Sequence, residues 1–294
     1  MVAPMHGDTH DGASPTVPQP ALDGAASQPV ALRFDTSALA RAAPVRDVVL
    51  ALPRFEPPEM TEPAREEAAS VWLHRTRRAY VGVMVARRFH GLLVDLNAPM
   101  DLQELGLRLM LDEQRHARLC HRAATSLGGP KELSFSVDEL AQERDEDDLP
   151  GDLVSTLTGR YIIAKRLELA IVQHLVHTVP PSTYREALEA IARDRAWHAE
   201  FGAPLLAQLR AGTPPRWLPW PGDEAVRARA RVQLRAALTR PPRRTHAAHL
   251  FSQPDTAATL AAAAVLSPEE IERVRRQATE VHARAALSEA GVIL

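Results

Sequence analysis

The sequence predicts an all-α protein built from two long antiparallel helical hairpins joined by a crossover, with smaller helices appended at the C-terminal end. Three observations carry this expectation. Ala, Leu and Arg dominate while aromatics make up only 4% of the chain, a composition that favours helix over sheet. No run of alternating Val, Ile and Thr of strand type appears. One motif is also written twice, as Leu111-Asp112-Glu113-Gln114-Arg115-His116-Ala117-Arg118 and as Ala192-Arg193-Asp194-Arg195-Ala196-Trp197-His198-Ala199-Glu200. In each copy a histidine follows an aspartate by four positions, one turn along a helix.

The elements follow in order. Residues 1–30 are rich in Pro, Gly, Ser and Thr and are expected to form a disordered tail. Residues 31–60 form an irregular segment, where Val48, Val49, Leu50 and Leu52 offer a small apolar cluster but prolines forbid a long helix. Thr61, with Pro63 in the first turn, opens a helix to about Leu96. Asn97-Ala98-Pro99 ends it, and Asp101 caps a second helix that stops at Gly128-Gly129. The stretch from 130 to 150, with its acidic run Glu143 to Asp148, has the length of a crossover rather than a tight turn. Asp152 caps a third helix ended by Pro180-Pro181, and Ser182 caps a fourth that runs to about Arg210. Residues 61–211 therefore form one helical unit, and 212–294 hold the appended helices. Asp223 starts the first of these, ended by Pro241-Pro242; the capping box Ser267-Pro268-Glu269-Glu270 opens the last, which runs to about Ala290.

Composition narrows the function classes. A formal charge of −2 argues against a nucleic-acid or membrane surface, which calls for a basic excess. The single cysteine, Cys120, rules out an intramolecular disulfide and reads as a small buried hydrophobe. Neither a secretory signal nor an apolar run long enough for a bilayer is evident, so a cytoplasmic location is expected.

The first motif carries Glu113-x-x-His116, which sets a carboxylate and an imidazole on one helix face. The second has Arg195 where the matching glutamate would stand, followed by His198. Counting outward from the two hairpin turns puts His116 level with Tyr80 and His198 level with Ile162. Glu168 lies about six residues off level, roughly 9 Å at 1.5 Å per residue, too far to share a ligand with Glu113. His74, His90, His121, His174 and His177 lack matching partners and are expected on the surface or as satisfied core groups. Arg227 to Arg235 falls on one face of a helix, either solvated or against the acidic loop.

The runs Asp112-Glu113-x-x-His116-Ala-Arg-Leu-Cys120 and Trp72…Ala79-Tyr80…Arg87-Arg88-Phe89 resemble the ferritin-like di-iron superfamily, above all a bacterial group of ferritin-like domain proteins of unassigned function. The resemblance covers about 60 to 211 and implies a four-helix bundle. It also implies six metal ligands, of which Glu113, His116 and His198 survive. Those matching Ala79, Arg160 and Arg195 are lost. Asp112 and Asp194 match the family's residues that orient the histidine of the opposing helix.

Charge argues against two irons here. A dication about 5 Å from one arginine is repelled by roughly 7 kcal/mol at an effective dielectric of about 20. The expectation is that Arg160 or Arg195 occupies the metal's place, paired with Glu113. The resemblance then implies a non-catalytic scaffold or partner subunit without a cofactor, self-associating or pairing with an intact ferritin-like relative. The alternative is an iron-dependent di-iron or mononuclear oxidase or oxygenase, with Glu168, Glu200 or Glu66 recruited as ligands.

Overall fold

The computed structural model describes residues 30–33, 53–211, 215–239 and 248–293, and these are mostly helical. Helix α1 (Glu62–Asp95) has a proline in its first turn and buries a stripe that includes Ala64, Ala68, Trp72, Ala79, Val83, Ala86, Phe89 and Leu93. Asn97 makes the turn at φ 53°, a left-handed conformation that asparagine tolerates better than most side chains. Helix α2 (Met100–Ser126) returns along α1 and packs against it. Its N-cap is Pro99 rather than Asp101, which sits in the first turn where a carboxylate still favours the helix dipole. Gly128, at φ 90°, follows the end of the helix, as a left-handed residue commonly does.

The crossover holds more order than its composition implies. Strand β1 (Val30–Arg33) pairs antiparallel with β2 (Glu132–Phe135), with Val30 opposite Phe135 and Arg33 opposite Glu132. The expectation of no strand is thus corrected: Leu133 and Phe135 are buried and their neighbours exposed, a period-two signal only four residues long. A one-turn helix, α3 (Val137–Leu140), follows behind a Ser136–Glu139 capping box. The expected disordered tail lies outside the described residues, save for Val30.

The second hairpin begins with α4 (Leu149–Thr156), capped by Asp148, whose side chain accepts from the Gly151 amide at 2.9 Å. Asp152 is not the cap; it is buried in an ion pair with Arg88. The helix then widens into a π-helical segment, Leu157–Ala164, before continuing as α5 (Lys165–Thr178). Ser182 caps α6 (Thr183–Glu200), accepting from the Arg185 amide at 3.2 Å. The expected single helix to Arg210 breaks at Phe201, and α7 (Gly202–Arg210) resumes beyond it. Pro204 supplies the reason: it has no N–H for the Glu200 carbonyl, and its ring crowds that group.

Of the appended helices, α8 (Asp223–Thr239) packs on the π segment, and Arg229 reaches Asp148 of the acidic loop at 2.7 Å. A short helix α9 (Pro254–Ala262) has no counterpart among the expected elements. Helix α10 (Pro268–Gln277), a π turn (Ala278–Ala283) and α11 (Arg284–Glu289) complete the described chain. Ser267 caps α10 as expected, accepting from the Glu270 amide at 3.2 Å, while the Glu270 carboxylate bonds His174 at 2.8 Å instead of closing the box. Among the described residues, no helix is long and apolar enough to cross a membrane.

Two apolar clusters form the core. One gathers Phe89, Leu92, Leu157, Tyr161, Leu206 and Leu287; the other gathers Trp72, Leu119, Leu175, Tyr184, Leu188 and Leu260. Between these clusters lie the buried polar residues Glu113 and His116 of α2, Lys165 and Glu168 of α5 and His198 of α6, which α1 passes with Ala79, Gly82 and Val83. The second cluster is tied to the C-terminal segment by the Trp72 indole, which donates to the Ala263 carbonyl at 2.9 Å. Trp72→Phe strands that buried acceptor, and a loss of about 1–3 kcal/mol is expected. Urea denaturation reads this directly, and an unchanged midpoint would show that the contact contributes nothing.

Candidate functional site

The two copies of the repeated motif face each other across the interior, one on α2 and one on α6. Their aspartates and histidines cross. The His116 Nε2 stands 2.9 Å from Asp194 Oδ2, and the His198 Nε2 stands 3.2 Å from Asp112 Oδ2. Arg115 bridges both aspartates, 3.1 Å from Asp112. Each Nε2 is thus engaged by a carboxylate, which leaves the Nδ1 of each ring turned away from the aspartates. Those two Nδ1 atoms point at Glu113, 3.7 Å from Oε2 for His116 and 3.9 Å from Oε1 for His198. Both are buried without a hydrogen-bond partner.

The centre of this arrangement is an ammonium. Lys165 extends from the start of α5 and donates to Glu113 Oε1 and, at 2.9 Å, to Glu168 Oε2. Lys165, Glu113, His116 and His198 are each no more than 2% exposed. Glu168 also meets three arginines: Arg78 donates to Oε1 at 3.2 Å, Arg160 lies 3.6 Å from Oε1, and Arg195 lies 3.8 Å from Oε2, the oxygen that Lys165 also reaches. Burial by itself pushes Glu113 up; the Lys165 ammonium and then His116 outweigh it and hold the carboxyl well below the usual range. Glu168 behaves likewise, with burial opposed first by Lys165 and then by Arg160, Arg195 and Arg78. Burial lowers His198, so the neutral imidazole is favoured. Burial also pushes the Cys120 thiol up to about 11, in keeping with a small apolar role.

The structure thus brings Glu113, His116, His198, Asp112 and Asp194 together and corrects two expectations. Neither Arg160 nor Arg195 pairs with Glu113; Lys165 does, and the arginines gather on Glu168. Glu168 is also not out of reach. The level count assumed α-helical register, whereas Leu157–Ala164 is wound with i→i+5 hydrogen bonds and changes which residues of α5 face inward. Of the other carboxylates considered, Glu66 and Glu200 are exposed. Ala79 is buried, but the residue of α1 lying against Glu113 is Gly82, where a Cβ would stand 2.7 Å from Glu113 Oε2. Helical side chains lean toward their N-terminus, so the contact falls a turn beyond the aligned alanine.

One signal pointed to the missed cation. The chain holds only two lysines, Lys131 and Lys165, among 35 Lys and Arg residues, and Lys165 follows the apolar run Tyr161-Ile162-Ile163-Ala164. A lysine presents its charge as a compact ammonium, which here donates to two carboxylates at once.

A pair of iron ions does not fit this centre. Among the described residues no group of three or more His, Cys, Asp or Glu side chains is disposed to hold a metal ion. The space between Glu113 and Glu168 is taken by the Lys165 ammonium. No protein-family model, curated protein or solved structure matches the chain.

Removing the ammonium tests its role. Lys165→Met leaves Glu113 charged and buried, and a loss of about 3–5 kcal/mol is expected. Adding Glu113→Gln should recover part of it, so that the double variant is less destabilised than the sum of the singles. The two glutamates bind protons less readily in the folded chain than in the unfolded one. Their stabilisation is therefore complete above the ordinary value of 4.5 and declines as pH falls toward the lowered folded values. The acid-unfolding midpoint, followed by circular dichroism, should move to higher pH in Lys165→Met; an unmoved midpoint contradicts the coupling.

Proposed function

We propose that this chain is a ferritin-like four-helix bundle that has given up metal chemistry and serves as a non-catalytic scaffold or partner subunit. The observation that carries this reading is the Lys165 ammonium between Glu113 and Glu168, facing the inward Nδ1 atoms of both motif histidines. The crossed Asp112–His198 and Asp194–His116 bonds support the ancestry, since metal-binding imidazoles are held in this way by a carboxylate on the far nitrogen. The lysine supports the loss. A dication about 4 Å from a fixed ammonium is repelled by on the order of 8 kcal/mol at an effective dielectric near 20. Unlike iron, an ammonium cannot change oxidation state or activate oxygen. What such a subunit offers is its surface, to a second copy or to an intact relative.

A second reading, an oxidase or oxygenase with rearranged ligands, draws on two observations: Glu168 reaches the centre, and the Nδ1 atoms of two imidazoles point into it. It requires Lys165 to leave. Elemental analysis of the purified protein separates the two. Iron and manganese far below one per chain are expected. A stoichiometric metal that disappears in Glu113→Ala would overturn the scaffold reading in favour of the enzyme. The substitutions Ala79→Glu, Arg160→Glu and Arg195→Glu restore the family's ligand types but leave the ammonium in place. Iron uptake is accordingly expected only once Lys165→Ala is added, and uptake without it would show that the lysine is no barrier.

A further inference from the structure

Helix α2 leaves an apolar stripe uncovered on the side away from the interior. Met100, Leu107 and Leu111 are 67%, 46% and 55% exposed. With Glu104, Gln114 and Arg118 they line one helix face, at positions that alternate by four and three residues. That spacing is the seam by which one helix packs along another. A single exposed leucine is ordinary, but two leucines one turn apart with a methionine two turns before them form a continuous stripe.

Charge has opposite sign at the two ends of the stripe. Asp101 and Glu104 precede the leucines, and Arg118 and Arg122 follow them. None of these four side chains has a hydrogen-bond or ion-pair partner among the described residues. The other charges on this stretch lie toward α6: Arg108 is folded over the Trp197 ring at 4.8 Å, and Arg115 is held by Asp112 and Asp194.

We propose that this face of α2 is the contact surface of a two-fold symmetric dimer, packed antiparallel on the same face of a second copy of the chain. Glu104 and Arg118 stand seven residues on either side of Leu111, and Asp101 and Arg122 stand ten and eleven. A two-fold axis beside Leu111 therefore lays the two Leu111 side chains together. It sets each Glu104 against Arg118 of the second copy and brings each Asp101 to Arg122 of the second copy. A parallel pair would set like charge on like. A contact along one helix about 40 Å long and about 10 Å wide covers roughly 400 Å² per partner, so the association is weak and reversible. The dimer names the surface that the scaffold reading offers to a partner and rests on that reading for its use. The contact itself draws on nothing in the buried centre, so metal content decides the one and oligomeric state the other.

Sedimentation equilibrium of the full chain across the micromolar range tests the interface, and a monomer–dimer equilibrium is expected. Leu111→Lys should weaken association about tenfold or more, and Glu104→Arg and Arg118→Glu should each weaken it as well. Mixing the Glu104→Arg chain with the Arg118→Glu chain makes every meeting pair opposite in sign again, and the mixture should associate as the wild type does. A Leu111→Lys chain that fails to fold, as read by circular dichroism, leaves the two charge variants and their mixture to decide. A chain that stays monomeric throughout, a dimer indifferent to the three substitutions, or charge variants that mixing does not rescue would each overturn the proposal.

Discussion

The interior of this protein depends on one buried contact, the ammonium of Lys165 held between Glu113 and Glu168. Two carboxylates placed there without a cation would carry a desolvation penalty of several kcal/mol each. With the ammonium in place they titrate low and stay charged, and the helices that carry them are drawn together: α2 through Glu113, α5 through Lys165 and Glu168. Gly82 lets α1 close over the Glu113 carboxylate, because any side chain there would collide with it. The crossed aspartate–histidine bonds then lock α2 to α6 at the same height. The two apolar clusters lie on either side of this polar layer, each closed by a different part of the C-terminal region.

Much of this was legible in the sequence because the signals were local. Helix starts read from Pro63 and Ser182 stand within a residue of their observed places, since cap chemistry acts over one turn. The repeated aspartate–histidine spacing pointed to the residues that now face each other. What escaped were properties set by tertiary packing. A π segment has no composition of its own, and Leu157–Ala164 reads as ordinary helix. Without it, the level count kept Glu168 out of the centre, while the resemblance put Arg160 in. Asp152 reads as a helix cap because aspartates usually cap, but it is an ion-pair partner of Arg88, a residue 64 positions away. Lys165 was legible only by contrast, as one of two lysines in an arginine-rich chain.

The π segment links the register of α5 to the charge pattern. It lies directly before Lys165, so the widened turn ends where the interior cation begins. It carries Arg160 on one flank and contributes Tyr161 and Ile162 to the first apolar cluster. Gly202 of α7 packs against the same stretch, where a Cβ would stand 3.0 Å from the Ile162 side chain. A segment this rare persists only where its surroundings over-determine it, and here α7, α8 and α11 all pack on it.

A tethered ammonium and a bound metal solve the same electrostatic problem with different consequences. A metal offsets more charge and accepts both imidazole lone pairs, but it must be supplied and can be removed by chelation or protonation of its ligands. An ammonium is present as soon as the chain folds. It carries one charge instead of two, and it leaves the His116 and His198 Nδ1 atoms without the acceptor a metal would provide. Burial and the nearby ammonium both act to lower His198, so its neutral form belongs to the same arrangement. The balance is therefore shared: Lys165 serves Glu113 and Glu168 together, and Arg78, Arg160 and Arg195 add their charge around Glu168.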